Sequence, residues 1–175
     1  MKSTTIFVRL GLSLFLGMNL LSSVGEAHAD SIAVEPNLVV PFGDFAKLSK
    51  LGFGGTGTLN FPLNDALIGT GRGGFIFHLT EVDNTSYLVV PLLGGVKYAF
   101  SPGSPFYAAG ELGLNYMRFS NGFGSGSDTT IGFTAGVGYK LSSADLRAGF
   151  MVYDLGNLDK TLSVFVTASF DVATL

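Results

Sequence analysis

The sequence predicts an all-β fold: an eight-stranded, antiparallel, up-and-down β-barrel that crosses a membrane, preceded by a cleavable signal peptide. Three observations carry this expectation. The chain opens with a leader of the export type, eight later segments place apolar residues at every second position, and the connections between them alternate in length.

The leader comes first. Lys2 and Arg9 form a basic head, Leu10 to Val24 is an apolar run, and Ala27-His28-Ala29 supplies small residues just before Asp30. A charged head, a short greasy run and an A-x-A site describe a cleavable secretory signal. The run falls short of the ~20 apolar residues a spanning helix needs. Residues 1–29 are therefore assigned to the signal peptide and 30–175 to the barrel domain. No later stretch suits a membrane helix, so any crossing must use strands closed on themselves, because lipid cannot satisfy an open sheet edge.

The strands follow in order. Ile32 to Phe42 is the first, and Leu51 to Leu63 the second, with Leu51, Phe53, Leu59, Phe61 and Leu63 opposite Gly52, Gly54, Thr56, Thr58 and Asn60. Ala66 to Leu79, Ser86 to Phe100 and Phe106 to Phe119 are weaker copies; the fourth is apolar on both faces, and Pro91 suggests a bulge there. Thr130 to Lys140 has the clearest alternation, with Ile131, Phe133, Ala135, Val137 and Tyr139 on one face and glycines, threonines and Lys140 on the other. Asp145 to Tyr153 and Thr161 to Phe170 complete the set. Short turns fall at Asn64-Asp65, Ser101 to Pro105 and Ser142-Ser143, and longer loops near Gly43 to Lys50, Thr80 to Thr85, Ser120 to Thr129 and Asp154 to Lys160. With a periplasmic N-terminus, that is the turn-and-loop asymmetry of outer-membrane barrels. Phe61, Tyr98, Phe100, Phe106, Tyr139 and Phe170 beside the turns, and Phe42, Phe53, Phe77, Tyr116 and Phe133 nearer the other rim, fit two aromatic girdles.

Alternation alone does not say which face points inward; charge does. Charged residues make up only 13% of the chain, about half the ~25% of soluble proteins. An outer surface of Gly, Ser and Thr would solubilise a barrel poorly. With the apolar face outward, Glu35, Arg72, Lys97, Glu111, Lys140, Asp145 and Arg147 all point into the lumen, and Arg118 alone faces out, at a strand end where it can snorkel. These inward charges, with Asn115 and further amides from Asn37 and Asn60, are expected to form a polar network filling an interior too narrow for a water column.

Leader, alternating strands and loop asymmetry together resemble the small outer-membrane β-barrel proteins of the OmpX and OmpA transmembrane type. The stretches most similar to that family are VVPFGDF (Val39 to Phe45), FYAAGELGLNYMRF (Phe106 to Phe119), TTIGFTAGVGYKL (Thr129 to Leu141) and LSVFVTASF (Leu162 to Phe170). The resemblance implies residence in the bacterial outer membrane, contact with outer-membrane lipid and lipopolysaccharide, and folding through the outer-membrane assembly machinery, which reads a final strand ending in an aromatic. Phe170 has that phase, but Asp171 to Leu175 follow it.

Candidate chemistry is sparse. Arg118-Phe119-Ser120-Asn121 looks like the H-x-S-N segment of outer-membrane lipid A deacylases, but an arginine stands where a general base belongs. His78, the one histidine after the leader, would have to reach Ser120 through the fold. No cofactor motif is present: GTGRGG (Gly69 to Gly74) lacks the Lys-Ser/Thr of a phosphate loop, and no His and carboxylate spacing suits a metal. Asp128, Asp154 and Asp159 read as solvated loop charge. A net charge of −3 gives no footprint for nucleic acid. The expected function is a non-enzymatic envelope protein that stabilises the membrane or presents its loops to external partners. The competing expectations are a lipid A-modifying enzyme using Ser120 and His78, a narrow pore, and a soluble periplasmic ligand-binding barrel.

Overall fold

The computed structural model describes residues 31–80, 85–121 and 124–174; the signal peptide expected over residues 1–29 lies outside them, as does most of the loop expected at Thr80 to Thr85. The strands are β1 (Ser31–Pro41), β2 (Ser49–Asn64), β3 (Leu67–Thr80), β4 (Ser86–Ala99), β5 (Phe106–Asn121), β6 (Gly124–Lys140), β7 (Asp145–Val152) and β8 (Leu162–Thr174). Each pairs antiparallel with its sequence neighbours, and β8 pairs with β1 to close the ring. Closure removes both sheet edges at lipid depth, as a membrane-crossing sheet requires.

The alternation points as charge content demanded. Leu92, Leu112 and Val137 lie on the outside with 66%, 56% and 60% of their surface exposed, while Glu35, Arg72, Glu111 and Arg147 on the opposite parity are buried. On the outward faces of β1 to β8 charge is confined to the strand ends, where Lys50 and Arg118 lie. So large an apolar belt is untenable in water and suits hydrocarbon. Aromatic pairs mark its two margins: Phe106 against Tyr139 at 4.7 Å beside the turns, and Phe53 against Phe77 at 6.4 Å nearer the loops.

Four local expectations change. Pro91 produces no bulge, because β4 keeps one register against β5 throughout and the ladder to β3 only skips Val90 and Pro91. The missing amide therefore falls on the β3 side and costs one rung rather than a shift. The last strand does not stop at Phe170: β8 runs to Thr174, with Ser31 opposite Thr174 and a bulge at Ile32/Ala33. Strand β1 begins at Ser31 and offers Asp171 to Thr174 a partner, which the sequence of the tail could not show. The loop expected from Ser120 to Thr129 is mostly strand, since β5 continues to Asn121 and β6 starts at Gly124. Finally, Gly43 to Lys50 is not a free loop: it carries a 3-10 turn (Phe45–Lys47) whose Phe45 ring is buried inside the barrel.

Inward glycines make room for large neighbours. A Cβ at Gly138 would lie 2.1 Å from the ring of Tyr107, directly opposite on β5. Gly138→Ala is therefore expected to push that ring aside and lower barrel stability by about 1–3 kcal/mol, read as the urea midpoint of bilayer-embedded protein. Gly126→Ala, with nothing within 4 Å of the new carbon, should leave the midpoint unchanged.

Candidate functional site

The lumen is built in three levels. At mid-depth, inward residues of β1, β3, β5 and β7 converge because every second residue of each strand must point there. Arg72 Nη1 contacts Glu35, Arg72 Nε lies 3.1 Å from Glu111, and Arg147 Nη1 lies 3.0 Å from the same Glu111 carboxylate. All four side chains are at most 2% exposed. The result is an alternating chain of two carboxylates and two guanidiniums with no net charge. Thr134 donates to Glu111 at 2.8 Å and accepts from Arg147 Nη2 at 2.8 Å, and Thr70 donates to Glu111 at 3.2 Å. Asn37 donates to Thr56 at 2.9 Å, and Thr56 donates to Glu35 at 3.3 Å. Arg147 also lies over the Phe165 ring, 5.1 Å from its centre.

Towards the turns, Lys97 pairs with Asp145 at 2.9 Å, and Tyr107 donates its hydroxyl to the other Asp145 oxygen. Lys140 does not join the network expected of it. It takes inward parity but is the last residue of β6, exposed at the mouth, where water solvates its ammonium. Asn115 is buried but serves a different level, donating to the Tyr153 carbonyl at 2.9 Å.

Towards the loops the lumen is apolar, which alternation did not foretell. Val39, Ile76, Val89, Met151 and Phe165 form one cluster, and Phe45 enters it from the β1–β2 loop. The Phe45 ring sits 5.1 Å from His78, 5.6 Å from Tyr87 and 5.9 Å from Tyr153. His78 is buried beneath it, with Nδ1 2.9 Å from Ser49 Oγ and Nε2 3.0 Å from Tyr153 Oη. The signal for this plug was the aromatic in VVPFGDF, which reads as girdle or loop until the loop is seen to fold inward.

The alternative site does not assemble. Ser120 follows the outward parity of β5, with Tyr116 and Arg118, whereas His78 faces the lumen and is engaged by Ser49 and Tyr153. A base that points through the opposite face of the wall cannot take the serine proton. Among the described residues no group of three His, Cys, Asp or Glu is placed to hold a metal. Among the described residues, the ionic level and the Phe45 plug fill the lumen at mid-depth and towards the loops. A cavity of about 560 Å³ remains at the turn end, between Asn60, Lys97, Tyr107, Lys140, Asp145 and Asp171.

No protein-family model matches the sequence, and no curated protein does. Solved structures do match in fold. Ail, the attachment invasion locus protein of Yersinia pestis, is 16% identical with a TM-score of 0.58, over 81% of this chain and 95% of that one. Neisserial surface protein A is 20% identical with a TM-score of 0.58, over 83% and 98%. The N-terminal β-barrel domain of Pseudomonas aeruginosa OprF is 15% identical with a TM-score of 0.55, over 82% and 98%. Ail is an outer membrane protein whose backbone has also been determined in a phospholipid bilayer nanodisc.

Proposed function

We propose, from the fold shared with these outer-membrane barrels, that the protein is a non-enzymatic integral protein of the bacterial outer membrane that anchors the β5–β6 hairpin above the surface for contact with an external protein. Lipid and lipopolysaccharide surround its apolar belt, and the outer-membrane assembly machinery inserts it, acting on β8 with Phe170 outward. The observation that carries the reading is the hairpin itself. β6 pairs with β7 only from Phe133 to Lys140, so Gly124 to Thr129 pairs with β5 alone. This stretch is exposed and carries neither lysine nor proline, the residues that usually blunt an edge. Its free main-chain groups suit an extended segment added as a further strand. The plugged lumen supports an anchoring role over conduction, and the separation of Ser120 from His78 supports it over acyl transfer.

The test trims the hairpin. Replacing residues 118–127 by Asn-Gly lets Met117 and Asp128, already opposite each other, flank a two-residue turn. The trimmed barrel is expected to reach the outer-membrane fraction and to keep its heat-modifiable gel mobility. Adherence of cells to protein-coated surfaces should fall at least tenfold, to the level of a strain lacking the chain. Unchanged adherence would overturn the reading. Detergent sensitivity of the deletion strain, repaired by the trimmed barrel, would support the envelope-integrity role instead.

A further inference from the structure

The free edge of β6 carries acid on one of its faces. Ile131 turns its carbonyl to the β7 side, where the Leu155 N–H donates to it at 2.8 Å. Backbone groups alternate sides along a strand, so Thr129, Ser127 and Ser125 point the same way. By then β7 has ended, since its ladder with β6 stops at Phe133 opposite Val152. The N–H and C=O of Ser125 and Ser127 therefore have no main-chain partner among the described residues. The N–H of Thr129 donates instead to the Asp128 carboxylate at 2.8 Å, which holds that carboxylate at the open edge. Asp154 stands at the foot of the same edge. It lies between Leu155 and Tyr153, whose carbonyl accepts from Thr130 at 2.7 Å. Both carboxylates are within electrostatic reach of the Tyr87 hydroxyl, and neither forms an ion pair among the described residues. Arg118, the only basic residue from Phe106 to Tyr139, sits opposite Ser127 on the outward face, one strand in.

We propose that this edge takes an extended basic segment of the external partner, with lysine or arginine at every second position. The inference rests on the hairpin reading above and names the chemistry of its partner. An added strand gains main-chain hydrogen bonds from Ser125 and Ser127, while its alternate side chains give specificity. Its residues alongside Gly126 and Asp128 point to the lumen-side face. There the glycine leaves open space and the two unpaired carboxylates attract a cation. Its residues alongside Ser125 and Ser127 point to the outward face, where Arg118 repels a cation. Opposite preferences on the two faces select an alternating pattern over a merely cationic chain.

The experiment titrates the processed, bilayer-embedded protein with end-capped hexapeptides, following the backbone amide shifts of Ser125 and Ser127. One peptide alternates Thr with Lys, one alternates Thr with Glu, and one carries its three lysines in a row. The alternating lysine peptide is expected to bind saturably and at least tenfold tighter than the other two. Two further versions are N-methylated, one at every threonine and one at every lysine. One of them should lose binding at least tenfold, because only one set of amides faces β6. Asp128→Asn with Asp154→Asn should erase the preference for lysine over glutamate. Each asparagine keeps a side-chain oxygen for the Thr129 or Gly156 N–H, so the variant should retain the heat-modifiable mobility of the folded barrel. Equal binding of the lysine and glutamate peptides, or full binding of both methylated versions, would overturn the proposal. If trimming the hairpin lowers adherence while no peptide shifts Ser125 or Ser127, this inference alone falls; unchanged adherence removes the reading beneath it.

Discussion

Glu111→Gln is expected to destabilise the folded barrel by about 3–5 kcal/mol, because it removes one partner of a buried ion network and strands the others. Among the described residues Glu111 is the one carboxylate bridging Arg72 and Arg147, at 3.1 and 3.0 Å. After substitution Arg72 keeps Glu35, but Arg147 has no acid among its described partners. Its guanidinium cannot escape the cost by deprotonating, nor reach water from a site 2% exposed. The chain has no Trp, so unfolding in urea should be followed by far-ultraviolet circular dichroism and by the gel mobility of unboiled samples. A double variant, Glu111→Leu with Arg147→Leu, removes both the acid and the cation it would strand, and should lose less than the two single variants together. A midpoint unchanged by Glu111→Gln would show that the network is not what holds the centre of the barrel.

Leu112→Arg is expected to cost about 2–4 kcal/mol in a bilayer, the depth-dependent penalty for a cation on the lipid face. Leu112 is 56% exposed on the outside of β5, between the Phe106 and Tyr116 girdle positions. Tyr98→Arg, at the turn-side margin, should cost about 0–1 kcal/mol, since an arginine there reaches the headgroups. Reversible folding into lipid vesicles at graded urea concentrations measures both. A soluble barrel predicts the opposite: an added surface charge at Leu112 would be neutral or favourable. Equal midpoints for wild type and Leu112→Arg would remove the membrane-crossing reading.

The wall of the barrel was legible because its cause is local. Successive side chains on a strand point to opposite faces, so the alternation of Thr130 to Lys140 or Leu51 to Leu63 declares two environments before any partner strand is known. Charge then assigned those environments, since Arg72, Glu111 and Arg147 share a parity that only the lumen could accept. The ends of strands were less legible. β5 and β6 outrun the apolar pattern because above the lipid nothing enforces it, and hairpin pairing alone carries Ser120, Asn121 and Gly124 to Ser127. The plug was not legible, since Phe45 in a seven-residue motif has no local reason to turn inward rather than join a girdle.

By itself the sequence determined the number of strands, their approximate positions along the chain, and which face meets lipid, because these follow from side-chain period and from the price of charge in hydrocarbon. Only closure of the ring decided the rest. It set Glu111 between two arginines, put His78 with Ser49 and Tyr153 instead of Ser120, and left Lys140 at the mouth, apart from the central ionic level. Those relations join residues far apart in the chain, and their distances exist only once the shear and curvature of the closed sheet fix which inward positions share a level.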